Sequence, residues 1–191
     1  MEFIPQAIDG VFVIQPKVHG DHRGYFVETY RGDLLEKHLG HPMHFVQDNE
    51  SRSSKGVLRG LHYQSPPFAQ TKLVRVIEGA VLDVAVDIRF GSPTFGQHVA
   101  VELSGENKKQ LFVPRGMAHG FVVLTESATF AYKVDNYYAP KNDFGLSFDD
   151  PALGIDWRLL TADFKLSDKD TKQPLLSALP QHFDIHENYY T

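Results

Sequence analysis

Val81–Ile88, VLDVAVDI, alternates with a period of two. Leu82, Val84, Val86 and Ile88 fall on one face of an extended strand, and Val81, Asp83, Ala85 and Asp87 on the other. Working outward, Gln97–Leu103 and Gln110–Val113 repeat the pattern, with ENKK as the turn between them. Gly120–Leu124 and Thr129–Tyr138 read as further strands. Towards the N-terminus, Val11–Gln15 is a short apolar strand ended by Pro16. HGDHRG, His19–Gly24, is a turn, and Tyr25–Tyr30 another strand. Asp33–Leu39 carries Leu34, Leu35 and Leu39 at helical spacing, with Gly40 as a stop, and predicts one short helix. Asp149–Trp157, DDPALGIDW, reads as a loop, and Leu166–Leu179 as a short C-terminal helix with Ser167 as N-cap. Short strands separated by turn signals predict a mainly β sandwich or barrel. No internal repeat, low-complexity tract or linker divides the chain, so residues 1–191 are expected to form one domain.

Composition narrows the function. Hydrophobic residues make up 42% and charged residues 23%, as in an ordinary globular protein. The formal net charge of −5 argues against nucleic acid as a partner. An anionic substrate would have to be held by local cations. Without cysteine there is neither a disulfide framework nor a thiolate metal site. The opening MEFIPQAIDG has neither a basic region nor an apolar core, so no signal peptide is expected. No apolar run is long enough for a membrane span, so the expectation is a cytoplasmic protein.

Gly56–Gln64, GVLRGLHYQ, concentrates chemistry: Arg59, His62 and Gln64 stand among Val57, Leu58 and Leu61, and Lys72 follows beside the apolar run LVRVI. A base and two cations in apolar surroundings suit a site that holds an anion and moves a proton. The plainer reading is a strand histidine beside a surface arginine. Strand alternation puts Arg59 and His62 on opposite faces unless a bulge or twist at Gly60 turns both inward. Further on, Phe112–His119, FVPRGMAH, spaces Pro114, Gly116 and His119 as P-x-G-x-x-H.

That spacing, downstream of GLHYQ and within a run of short strands, resembles the second motif of the cupins, which are double-stranded β-helices, or jelly rolls. The resemblance sharpens because QDN (Gln47–Asn49), GVLRGLHYQ, AQTKLVRVIEG (Ala69–Gly79), PRGMAHGF, DDPALGIDW and LSDKD occur in that order. Together they resemble the dTDP-4-dehydrorhamnose 3,5-epimerases over nearly the whole chain. Many cupins hold a metal through an H-x-H pair, a downstream Glu and the second-motif His. Here Gln64 stands in the pair, and Phe68 and Ala69 fall where the Glu would be. His62 and His119 alone are too few donors, so neither a catalytic metal nor another cofactor is expected.

The resemblance implies a dTDP-linked 4-keto-6-deoxyglucose substrate whose C3 and C5 protons both lie α to the C4 carbonyl. It implies His62 as base, Asp170 as the carboxylate orienting it, Tyr132 as acid and Lys72 as the cation beside the enolate. Asp83 stays open as a second partner for His62. Phe130, Tyr132, Val134, Asn136 and Tyr138 share one strand parity, which would put two phenols on one face. The nucleotide half implies Arg59 on pyrophosphate, Gln47, Asn49 and Lys169 on nucleotide and phosphate, and His119 on sugar or phosphate. Tyr138 would stack on thymine. Asp143 stands where the family commonly has Glu. Arg23 and Glu28 match an arm that crosses into the partner of a homodimer. His19 replaces an aromatic residue usual in that arm, with less apolar area for packing. Relatives that invert C3 alone, or that move the carbonyl as 3,4-ketoisomerases, need the same base. A cupin sugar-binding module would need no base–acid pair, and a metal-dependent cupin oxygenase would need the missing ligands.

Overall fold

The structure, a computed structural model, describes residues 1–159 and 163–190. Runs rich in β-branched and aromatic residues become strands. In chain order these are β1 (Glu2–Pro5), β2 (Phe12–Gln15), β3 (Val18–Asp21), β4 (Gly24–Val27), β5 (Gln47–Ser54), β6 (Leu58–Gln64) and β7 (Lys72–Glu78). They continue as β8 (Ala80–Asp87), β9 (His98–Ser104), β10 (Gln110–Val113), β11 (Met117–Val123), β12 (Ser127–Val134) and β13 (Asp143–Gly145). One α-helix occurs among the described residues, α1 (Gly32–Leu39), ended by Gly40 in the left-handed region at φ 76°. The first sheet runs β1-β2-β10-β7-β12-β5, the second β13-β6-β11-β8-β9, and β3 and β4 form a separate ribbon. All these ladders are antiparallel. Two facing antiparallel sheets make the jelly roll that the motifs imply.

Between the sheets, Val74, Leu111, Val113 and Phe130 of the first meet Val81, Ala85, Leu103 and Phe121 of the second. The other face of the second sheet is covered too: Leu82, Val84, Val86 and Ile88 pack with Phe148, Trp157, Leu179 and Phe183. The alternation in VLDVAVDI therefore separates two apolar cores and not core from solvent. Each such buried Val or Leu contributes about 1.5–3 kcal/mol. Asp83 and Asp87 share this burial, and buried carboxylates need partners. Asp87 accepts from Arg89, Ser92 and Thr94, and Asp83 from His119. Leu35 of α1 covers the outer face of the first sheet with Phe12, Ile14, Leu73 and Phe112.

Four expectations need correction. The strand expected to reach Tyr138 stops at Val134, where its partner β5 begins at Gln47. Beyond it, side chains take over from the ladder: Asp135 accepts the Thr71 N–H, and Asn136 bonds Pro67 O and the Tyr137 N–H. Tyr132 and Tyr138 thus do not share a strand face. The C-terminal helix is replaced by two short 3-10 turns, Asp170–Lys172 and Leu176–Ala178. Pro174 lies between them and holds Gln173 extended, with ψ 146°. Finally, His19–Asp21 belong to β3, the turn shrinks to His22 and Arg23, and the strand expected over Tyr25–Tyr30 runs only Gly24–Val27, where its partner β3 begins at Val18.

The bulge at Gly60 is present. Along the β6–β11 ladder, His62 pairs with His119 but Arg59 with Phe121, and the register shifts between. Gly60 adopts φ 133°, and a Cβ there would meet Gly120 Cα at 2.5 Å. Only glycine lets the two strands cross this closely while the bulge re-aims β6.

Candidate active site

A cavity of about 600 Å³ opens between the sheets. The bulge brings both Arg59 and His62 into its lining from β6, joined by His119 and Phe121 from β11. The first sheet supplies the facing wall: Asn49 from β5, Lys72 from β7, and Phe130 and Tyr132 from β12. Ser167 and Asp170 close one end from the C-terminal segment. Phe121 and Phe130 stack across the floor, ring centroids 4.1 Å apart.

His62 Nε2 lies 2.5 Å from Asp170 Oδ1, so its partner is Asp170. Asp83 is engaged elsewhere, with both oxygens 3.0 and 3.1 Å from His119 Nε2. Asp170 is only 3% exposed. Burial pushes its carboxyl up, but hydrogen bonds from His62 and Ser167 outweigh this and hold it below the ordinary range. Ser167 was missed as a contributor to the site. Its hydroxyl donates to Asp170 Oδ2 at 2.8 Å and accepts the Asp170 N–H at 3.2 Å. The expected capping serine therefore caps a turn that aims a carboxylate; the S-x-x-D spacing in LSDKD was the available signal. Ser53 was missed too: its hydroxyl accepts from Arg59 Nε at 3.2 Å and Nη2 at 3.1 Å, fixing the guanidinium.

Burial draws the Lys72 ammonium down to about 8, against the opposing pull of Asp143 and Asp83. Burial also pushes the Tyr132 phenol up, with Arg59 opposing. Asp83 is raised by burial, with His119 and Lys72 working against it. Gln64 is spent on structure: its amide donates to Phe68 O and Tyr137 O and accepts the Ala139 N–H. Among the described residues, no three His, Cys, Asp or Glu side chains converge as a metal-ligand set would.

The other expected residues stand outside this cavity's lining. Gln47 donates to Asn49 Oδ1 at 2.7 Å. Tyr138, 59% exposed, donates to Asp143 Oδ2, which also accepts from Lys169. Arg23 pairs with Asp21 on the β3–β4 ribbon, and Glu28 with Arg31. Tyr25 and Phe26 of that ribbon are exposed.

Two facing antiparallel sheets with the site in the cavity between them make this a cupin-like jelly roll. Residues 5–178 match the family model for dTDP-4-dehydrorhamnose 3,5-epimerase. A Pseudomonas aeruginosa dTDP-4-dehydrorhamnose 3,5-epimerase is 54% identical over 164 residues, 86% of this chain and 90% of the relative. A Legionella pneumophila dTDP-6-deoxy-D-glucose-3,5-epimerase, solved in complex with dTDP-4-keto-L-rhamnose, superposes with a TM-score of 0.93 at 50% identity, covering 98% of this chain and 99% of that one. A Streptomyces dTDP-4-dehydro-6-deoxyglucose 3-epimerase is 38% identical over 91% of this chain and 88% of its own length. The chain belongs to the dTDP-4-dehydrorhamnose 3,5-epimerase family.

Lys72 has a consequence for stability. Between pH 8 and 10.5 the unfolded chain holds a proton that native Lys72 has released. Stability therefore rises with pH across that window, and below it the fold bears the full cost of a buried ammonium. Lys72→Met is expected to stabilise the protein at pH 7 by about 1–3 kcal/mol in urea denaturation. Asp83 keeps His119 and Asp143 keeps Lys169, so neither is stranded. The gain should shrink towards pH 10.5; a destabilised variant at pH 7 would contradict the reading.

Proposed function

We propose that this protein inverts C3 and C5 of dTDP-4-dehydro-6-deoxy-D-glucose, giving dTDP-4-dehydro-L-rhamnose. The observation that carries this reading is the distribution of groups over the cavity walls. The His62–Asp170 pair comes from the second-sheet side, while Tyr132 and Lys72 come from the first. Inversion next to a carbonyl needs this division: a base on one face of the carbon, an acid on the other, and a cation at the oxygen where charge develops.

His62, with Nε2 turned to Asp170, removes the α-proton through Nδ1, and Asp170 stabilises the imidazolium that forms. The pair of electrons moves onto the C4 oxygen, where the Lys72 ammonium offsets the enolate charge. A contact of that kind is worth about 3–4 kcal/mol in the transition state. Tyr132 returns a proton from the opposite face; a phenol left neutral by burial is suited to donate. Because both carbons flank the same carbonyl, one base and one acid serve both. Arg59, held by Ser53, grips the pyrophosphate bidentately. His119 and Asn49 bind sugar and phosphate from the walls. At the rim Gln47 binds nucleotide and phosphate, Lys169 phosphate and Asp143 sugar, with Tyr138 on the thymine. The protein acts as a homodimer without cofactor, and Arg23 and Glu28 of the partner subunit complete each site. The exposed aromatics of the β3–β4 ribbon, one on each side of it, support this exchange, since a lone chain leaves Tyr25 61% and Phe26 66% exposed. Identity of 54% to a 3,5-epimerase against 38% to a 3-epimerase favours inversion at both carbons.

Proton NMR of the substrate with enzyme in D₂O tests the reading. Deuterium should enter at both C3 and C5, with the L-configured product accumulating; exchange and inversion at C3 alone would make this a 3-epimerase. The shared site has its own test. Arg23→Ala and His62→Ala, each nearly inactive, should regain about a quarter of wild-type activity when mixed, because about half of randomly mixed dimers are hetero and carry one intact site. No recovery, with heterodimers confirmed by intact mass, would mean each subunit builds its own site.

A further inference from the structure

Lys72 is the first residue of β7, so its placement depends on a backbone that leaves the ladder one residue earlier, at Thr71. Three strand ends meet there: the start of β7, the end of β10 before Arg115, and the end of β12 before Asp135. Asp135 stitches them together. Its Oδ1 accepts the Thr71 N–H at 2.6 Å, and its Oδ2 accepts from Arg115 Nε at 3.1 Å. The Thr71 hydroxyl, on a fully buried residue, also bears on the Asp135 carboxylate and reaches a further partner from the far end of the chain. Tyr190 Oη accepts from Thr71 Oγ1 and from the Arg115 N–H, both at 3.1 Å. The Arg115 guanidinium lies 5.0 Å from the Tyr190 ring centroid, and Arg115 Nη1 also donates to Tyr189 O.

The segment bearing Tyr190 is fixed along its course. Phe183 is buried, and its carbonyl accepts the Phe90 N–H at 2.9 Å, while the Ile185 N–H returns to Phe90 O at 2.9 Å. Tyr189 Oη accepts the Asp184 N–H at 2.7 Å. These residues lie beyond the stretch matched by the family model, which ends at 178.

We propose that the C-terminal segment carrying Tyr190 is a positioning element for Lys72, acting through the Tyr190–Thr71 hydrogen bond at the root of β7. The proposal rests on the epimerase reading, in which Lys72 must meet the developing enolate. The Tyr190 hydroxyl also covers the buried Thr71 at the root of β7, the residue next to Lys72. The charged and titratable groups bearing on Lys72 are Asp83 from β8, Asp143 from β13 and Lys169 from the C-terminal segment, with Glu50, Arg59, His62, His119, Tyr132, Lys165 and Asp170 sharing its cavity.

Tyr190→Phe keeps the ring over Arg115 and removes the oxygen; Thr71→Val removes the same hydrogen bond from the other side at nearly equal volume. Each should lower kcat about five- to tenfold, the size of one neutral hydrogen bond, with KM and calorimetric affinity for dTDP unchanged. The alkaline limb of the kcat profile should move to higher pH in both, as water reaching the β7 root relieves part of the burial of Lys72. Tyr190→Phe also gives up the Arg115 N–H bond and Thr71→Val the hydroxyl's interaction with Asp135, but the bond they share is lost only once, so the double variant should lose less than the product of the two single losses. Unchanged kcat and alkaline limb in a folded Tyr190→Phe or Thr71→Val protein would overturn the proposal. So would additive losses in the double variant, or a parallel loss of dTDP affinity. If wild-type protein fails to turn over the 4-keto substrate, the functional reading itself falls; an active wild type with indifferent variants removes the positioning role alone.

Discussion

The hydrogen bond from His62 to Asp170, 2.5 Å long, joins β6 to a C-terminal segment that belongs to neither sheet. The segment is brought there by a short parallel bridge between Val57 and Lys165. In it, the Lys165 N–H donates to Gly56 O at 2.8 Å and the Leu58 N–H donates to Lys165 O at 3.1 Å. Gly56 allows the approach: a Cβ there would lie 2.2 Å from Asp163 O. From this anchor the Ser167 turn aims the carboxylate, and the Gly60 bulge aims the imidazole. A carboxylate 3% exposed has few ways to stay charged. Its bonds to His62 and Ser167 keep it ionised, and its charge in turn fixes which ring nitrogen of His62 faces the cavity.

The cavity concentrates groups that the fold would be more stable without. Lys72 is drawn down to about 8 by burial, and Asp83 is raised by the same cause. Such costs are typical of sites whose chemistry needs a cation or an acid in low dielectric. The surrounding apolar core, with Phe121 stacked on Phe130 and Val74 fully buried, bears that cost.

Much of the fold was legible in period-two runs. Gln110–Val113 forms as read, and VLDVAVDI gives β8 to within one residue. What local patterning missed follows from non-local causes. Nothing within VLDVAVDI tells that its second face is covered by Phe148, Trp157 and Phe183, residues distant in sequence. Tyr138 kept strand parity in the sequence, but β12 ends where its neighbour β5 begins, and only the ladder registers show it. The C-terminal helix failed at Pro174, a signal present in the sequence but outweighed by the cap and apolar spacing around it. Among site residues, His62, Lys72, Arg59 and His119 stood out as polar groups in apolar or motif settings. The choice between Asp170 and Asp83 stayed open on the residues alone, because both are carboxylates far from His62 along the chain. The structure resolves it by giving Asp83 to His119. Ser53 escaped notice although QDNESRSS carried a signal: it shares the parity of Gln47 and Asn49, opposite the charged and exposed Asp48, Glu50 and Arg52.

The central claim is that one imidazole, oriented by one carboxylate, moves the protons at both C3 and C5. Asp170→Asn tests it most directly, since it retains shape while removing the charge that stabilises the imidazolium. Measured by proton NMR in D₂O with the 4-keto substrate, exchange at C3 and at C5 should fall by the same factor, within about 10²–10⁴. Near-wild-type exchange at either carbon, with the other suppressed, would show that a different base serves that carbon and would contradict the account.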